Sequence, residues 1–310
     1  MKELFRRIHT EKFRWYDEFL VIFIFSFILT IVCQGLGLAV MNAIARVVPL
    51  TDAFGETFQL YFSTIGGWIF LIPFLYLVKH RRPILKAIGP KPKGNNFKWL
   101  LFGLLIGFGL NFFCAVIAMF NRDIHITLAH VEPVKILLLL FAVFVQSSSE
   151  ELIDRAYVYQ TLVKGYRNKW VAIIGNALMF SLMHGFNPGV TPLALANIFF
   201  SGLLFSLMVY YFDSLWCAFG IHTGWNFTQS ILLGLPNSGI VVPYSIFELD
   251  TATAANSFVY NVMFGIEGTI FSTILLAAAC VVTYVLGKKR NRKPIDVWED
   301  YPNRPGAKTA

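Results

Sequence analysis

Two adjacent glutamates, two histidines and an asparagine sit inside otherwise apolar sequence. Glu150 and Glu151 are followed by Asp154 and Arg155. His184 closes a later apolar run, and His222 and Asn226 lie within another. Ionisable groups within apolar segments are costly to bury, so each marks a candidate site. Glu151 and Arg155 stand four residues apart, on one helix face and close enough to pair. Glu150 is turned by about 100° from Glu151 on a helix of 3.6 residues per turn, so the same guanidinium does not neutralise it. The two glutamates therefore separate into a structural acid and a free acid. Asp154 shares the face of Glu150, as a second acid or as a group that solvates the helix end. Phe180 and His184 repeat the four-residue spacing, with Asn176 on the same stripe, and so do His222 and Asn226. One free carboxylate, two imidazoles and an amide can activate a water and stabilise an oxyanion.

Other chemistry finds less support. A serine nucleophile needs a base within reach, and no Ser or Cys sits in a triad-like arrangement. Ser147, Ser148 and Ser149 precede the glutamates and read as bonding to the helix backbone or packing against a neighbouring helix. Cys33, Cys114, Cys217 and Cys280 all fall in apolar runs without ligand spacing and read as small buried hydrophobes. His9, His80, His125 and His130 lie near a terminus or in loops and take no role. Glu267, near the start of the last apolar run, is expected to reach water.

The elements that must carry these groups follow from composition. Hydrophobic residues make up 56% of the 310-residue chain and charged residues 14%, with 31 Phe, against about 25% charged in a typical soluble domain. Mean hydropathy is +0.61. Disordered, collagenous and disulfide-scaffold classes are excluded, and an all-α, polytopic transmembrane helix bundle is expected. Apolar runs long enough to span a bilayer fall at about 19–43, 58–78, 99–120, 134–163, 170–186, 191–212, 214–235 and 263–286, which makes eight. The fifth is short for a span. With eight spans, 22 basic residues fall on the side of the two termini and three, Arg46, Arg122 and Lys135, on the other. That split places both termini in the cytoplasm, and in the cell membrane if the source is bacterial. The first run reads as an uncleaved signal-anchor. A net charge of +8 carried in such loops gives no reason to expect nucleic acid. The tail from Gly287 is polar and reads as a mobile, solvated anchor. On straight vertical helices Glu150, His184 and His222 do not fall at one depth. The fourth helix must tilt or begin outside the bilayer, and the fifth must re-enter or be offset.

Three motifs in order carry a family resemblance. Glu150-Glu151-Leu152-Ile153-Asp154-Arg155 matches EExxxR, Phe180 to His184 matches FxxxH, and His222 to Asn226 matches HxxxN. The segment from about Val134 to Leu235 thus resembles the CAAX-protease and bacteriocin-processing (CPBP, or Abi) family of intramembrane proteases. Asp154 stands where that family usually has an aromatic residue, and Ala156 where it usually has Gly; both departures touch packing near Arg155. The resemblance implies an intramembrane endopeptidase of CAAX-prenyl-protease type, with a catalytic core at 134–235. A three-span region at 1–133 would precede it, and an outer loop, last span and tail at 236–310 would follow. It also implies roles. Glu150 would deprotonate a water held by His184, His222 and Asn226 would donate to the oxyanion, and Glu151 would position Arg155 as a structural brace. The substrate would be a peptide or membrane protein met within the lipid bilayer. Glu150, His184 and His222 would also make up a Glu-His-His zinc set with water as fourth ligand. Without an HExxH, a mechanism with no metal and no other cofactor is the favoured reading. Two competing readings are a catalytically idle scaffold or bacteriocin self-immunity protein, and a small-solute transporter. The transporter fits less well, because no paired repeats are visible.

Overall fold

Each apolar run becomes a helix, and most carry their own start signal. The computed structural model describes residues 2–290 and 294–303; Arg292, Lys293, Arg304 and Lys308 of the basic count lie outside them. The helices are α1 (Phe19–Ala45), α2 (Ala53–Leu77), α3 (Phe97–Phe120), α4 (Pro133–Gly165), α5 (Lys169–Met183), α6 (Pro192–Phe212), α7 (Leu215–Asn226) and α8 (Ile270–Arg290). The side chains of Asp52, Asn96, Asn168, Thr191 and Ser214 accept from free backbone N–H groups in the first turns of α2, α3, α5, α6 and α7. Pro133 and Pro192 open α4 and α6, where a missing N–H costs nothing.

Among the described residues six helices, α1 to α4, α6 and α8, are long and apolar enough to cross a membrane. α5 has 15 residues, and α7 continues as a π-helix over Phe227–Leu232. The eight expected runs are thus all helical, six of them at full spanning length. Large apolar side chains stay exposed along α1 (Ile24, Ile31), α3 (Leu105, Phe112) and α8 (Ile274, Val281), as lipid-facing surfaces require. A two-stranded antiparallel sheet, β1 (Ile126–Leu128) with β2 (Phe247–Leu249), pairs Thr127 with Glu248 and ties two loops together.

α7 is buried along its whole length, and glycines account for its approach to α3. A Cβ on Gly103 or Gly107 of α3 would lie 2.2 and 2.0 Å from the carbonyl oxygens of Cys217 and Ile221. One on Gly220 or Gly224 of α7 would lie 2.2 Å from those of Leu100 and Leu104. Only small residues allow two helix backbones to meet so closely. This contact fixes the face of α7 that presents His222 and Asn226.

At the end of the bundle that holds Lys12, the described part of the tail, 294–303, is not the solvated, mobile extension its polarity suggested. Val297 and Trp298 are buried, and the Trp298 indole donates to the Gln160 carbonyl at 2.8 Å. Lys12 donates to the Trp298 carbonyl, and Lys86 pairs with Asp300 at 3.1 Å. Both chain ends therefore lie on one face. Beneath them Asp17 and Lys164, both fully buried, pair at 2.8 Å, with Arg81 3.4 Å from the same carboxylate. An aromatic residue over a cation explains the burial: Lys164 lies 5.0 Å from the Trp298 ring and 4.9 Å from that of Tyr301.

Candidate active site

A cavity of about 360 Å³ lies among α1, α2, α4, α5, α6 and α7, and Glu150, His184, His222 and Asn226 all line it. The depth problem resolves through helix lengths. α5 ends at His184, so that imidazole stands at a helix terminus rather than mid-span. Glu150 lies near the middle of the 33-residue α4 and lines the same cavity as His184.

Glu151 and Arg155 pair as their spacing required, at 2.9 Å with both side chains fully buried. Arg155 also donates to the Gly202 carbonyl at 3.1 Å. Its guanidinium lies 4.3 Å from the ring of Phe180 and 5.0 Å from that of Phe205. The residues from Leu152 to Val158 form a π-helix, a wider turn that often marks functional sites. Asn176, on the His184 stripe, does not reach the cavity centre. Its amide donates to the Asp154 backbone carbonyl at 2.8 Å and accepts from Ser206 at 2.9 Å, pinning this π segment to α5 and α6.

Glu151 has a second partner that spacing could not reveal. Its Oε1 lies 3.0 Å from His222 Nδ1. A carboxylate there makes Nδ1 the donor and turns Nε2 toward the cavity, 3.8 Å from Glu150 Oε2. Phe205 stacks on the same imidazole at 5.3 Å. His184 is oriented the same way: its Nδ1 lies 2.8 Å from the Phe180 carbonyl and donates to it, leaving Nε2 as an acceptor.

Gln146 is a further residue of the site. Its amide donates to Glu150 Oε1 at 2.6 Å, and its carbonyl oxygen accepts from Asn226 at 2.9 Å and from Ser147 at 3.1 Å. Ser148 behaves as read from the sequence: it donates to the Phe144 carbonyl at 2.6 Å and accepts from the Trp68 indole at 2.9 Å.

Glu267 corrects an expectation. It is buried rather than in reach of bulk water, and it lines the cavity. One carboxylate oxygen accepts from the Trp225 indole at 2.9 Å, the other from the N–H and hydroxyl of Ser238 at 2.6 and 2.7 Å. Ser238 has a φ of 49°, a left-handed conformation that a side-chain-bearing residue adopts at a cost. Asn187, three residues past His184, donates to the Ser238 carbonyl at 3.1 Å. A chain of bonds therefore runs from the His184 turn through Ser238 and Glu267 to Trp225, beside Asn226.

Among the described residues no three His, Cys, Asp or Glu side chains stand close enough together to hold a metal, and Glu150, His184 and His222 do not make such a group.

Apolar helices around a buried polar cavity define a multi-pass integral membrane protein. Residues 132–228 match a family model described as type II CAAX prenyl endopeptidase Rce1-like, and all three motifs lie within that segment. Over that segment the chain is similar to CAAX-type membrane proteases. No curated protein matches the chain significantly.

Proposed function

We propose that the protein is an intramembrane endopeptidase that hydrolyses a peptide bond of a peptide or membrane-associated substrate with a water activated by Glu150. The observation that carries this reading is the division of labour between the two glutamates. Glu151 is hydrogen-bonded by Arg155 and His222, whereas Glu150 lines the cavity with an Oε2 that faces His222 Nε2 at 3.8 Å, too far for a hydrogen bond. A general base must be within reach of its water and not already neutralised.

The steps follow from the geometry of each group. Glu150 removes a proton from a water that His184 Nε2 holds as an acceptor. The hydroxide adds to the substrate carbonyl, and the charge develops on its oxygen. Asn226 offers an amide N–H to that oxygen, and His222 offers Nε2–H when its imidazole carries both protons, Nδ1–H remaining on Glu151. Donors fixed in advance of the charge are the larger part of such stabilisation. The proton on Glu150 then passes to the leaving nitrogen, the C–N bond breaks, and a carboxylic acid and an amine result. Arg155 takes no proton; it holds Glu151. The face that carries both chain ends is the cytoplasmic one in this reading, because the basic loops cluster there.

The test is turnover of a fluorogenic peptide by the purified chain in detergent. Glu150→Gln keeps size and hydrogen bonding and removes the base, so the rate should fall by a factor of about 100 to 10,000. Full activity in that variant overturns the assignment. A scaffold or immunity protein would instead keep its cellular phenotype with Glu150→Gln.

A further inference from the structure

The cavity wall carries three carboxylates, Glu150, Asp154 and Glu267, and among the described residues no Lys or Arg lines it. Two of the three are already engaged: Glu150 takes the Gln146 amide, and Glu267 takes three donors. Asp154 is different. It is 3% exposed, it lines the cavity, and its Oδ1 is buried with no hydrogen-bond partner. Its neighbour Arg155 turns away, toward Glu151 and the Gly202 carbonyl. Asn176 bonds the Asp154 backbone and not its side chain. A buried carboxyl oxygen without a donor is rare in folded proteins and asks for one; a cation or N–H donor entering the cavity would supply it.

We infer that Asp154 is a specificity determinant, recognising a cationic side chain of the substrate peptide, Lys or Arg, beside the bond that is cut. The position fits. Asp154 follows Glu150 by four residues, about one helical turn, or on the order of 5 Å, further along α4. That is the reach of a side chain one residue or so from the scissile carbonyl. The same lining disfavours an anionic group next to that bond, so a glutamate there, or a free carboxyl terminus, meets three carboxylates and no Lys or Arg. This inference rests on the protease reading for its cleavage arm and stands independently of it for its binding arm.

The experiment uses the full chain in detergent and a set of N-acetylated, C-amidated peptides identical except for Lys, Gln or Glu beside the scissile bond. Binding is read by fluorescence anisotropy on Glu150→Gln, which needs no turnover, and kcat/KM is read on the protein with Glu150 intact. The Lys peptide should bind about tenfold tighter than the Gln peptide, and the Glu peptide more weakly than either. Adding Asp154→Asn should bring the Lys-to-Gln ratio close to unity, while Asp154→Glu, which keeps the charge, should retain the preference. A Lys-to-Gln ratio of unity with Asp154 present overturns the inference. So does an equal loss for all three peptides in Asp154→Asn, which would mark a framework role, and so does binding of none of them. An Asp154-dependent Lys preference in binding with no peptide cleaved sinks the protease reading and leaves the cation site standing. Cleavage without a Lys preference does the reverse.

Discussion

Gln146 donates its side-chain amide to Glu150 across 2.6 Å, one turn away on the same helix. Its carbonyl oxygen holds Asn226 on the facing helix, so one amide sets the positions of both the base and an oxyanion donor. Gln146→Ala frees both. A misplacement of about 1 Å can cost on the order of 100-fold in rate, and kcat should fall by about that factor while the thermal midpoint of the purified protein stays near wild type. An unchanged kcat would show that the bridge positions nothing.

Arg155→Ala leaves Glu151 buried with only His222 for a partner. Breaking a buried pair costs about 3–5 kcal/mol, so yield and thermal midpoint should both drop sharply. Arg155→Lys should fall between, because an ammonium cannot bond Glu151 and Gly202 in one plane and stack between Phe180 and Phe205 as a guanidinium does. Thermal unfolding followed by retention on size exclusion reads both variants. An alanine variant as heat-resistant as wild type counts against the pairing.

Gly202→Val probes the same guanidinium from the other side. A Cβ at position 202 would lie 2.9 Å from Arg155 Nη2 and 3.0 Å from the Phe180 ring. Overpacking of this kind costs about 1–3 kcal/mol. Because Arg155 must give way, activity should fall further than stability alone predicts, and assays well below the unfolding transition separate the two.

Glu267→Ala leaves the Trp225 indole and the Ser238 N–H unpaired in a buried place, at about 1–3 kcal/mol for each such group. Ser238 then loses the bonds that hold its left-handed backbone. The expected result is a lower thermal midpoint together with a loss of kcat, since Trp225 adjoins Asn226. Glu267→Gln keeps an acceptor for the indole and should recover part of both. Identical behaviour of the two variants would contradict the bond chain from His184 to Trp225.

A chelator provides the metal test. With no three ligand side chains converging at Glu150, His184 and His222, phenanthroline should leave peptide cleavage unchanged. Loss of cleavage restored by zinc alone would move these residues to ligand roles.

The motif residues were legible because charge in an apolar run is a strong signal that survives without tertiary information. The Glu151–Arg155 pair and the separate course of Glu150 followed from helical spacing. The bond from Glu151 to His222 did not, because 71 residues separate the two and only packing of α7 against α4 brings them together. Gln146, an uncharged amide, carries no such signal; its role depends on Asn226 arriving opposite. Glu267 was misjudged because its depth depends on how the loop before α8 folds back, and that return path leaves no periodic trace. The π turns are equally silent, since an extra residue in one turn changes no composition. In the tail, one buried Trp among charged neighbours outweighed the polarity that read as solvated.

The docking of Trp298 on α4 has a consequence for how the protein is made. Asp17, Arg81 and Lys164 come together once α4 has been synthesised, yet the indole that covers Lys164 belongs to a residue made more than 130 positions after its partner Gln160. During insertion this charge cluster therefore lacks its indole cover until residue 298 has left the ribosome. Closing a contact of such long sequence separation is slow relative to local helix packing. A nascent chain halted before residue 298 carries its helices but not the seal of a cationic side chain by an aromatic one.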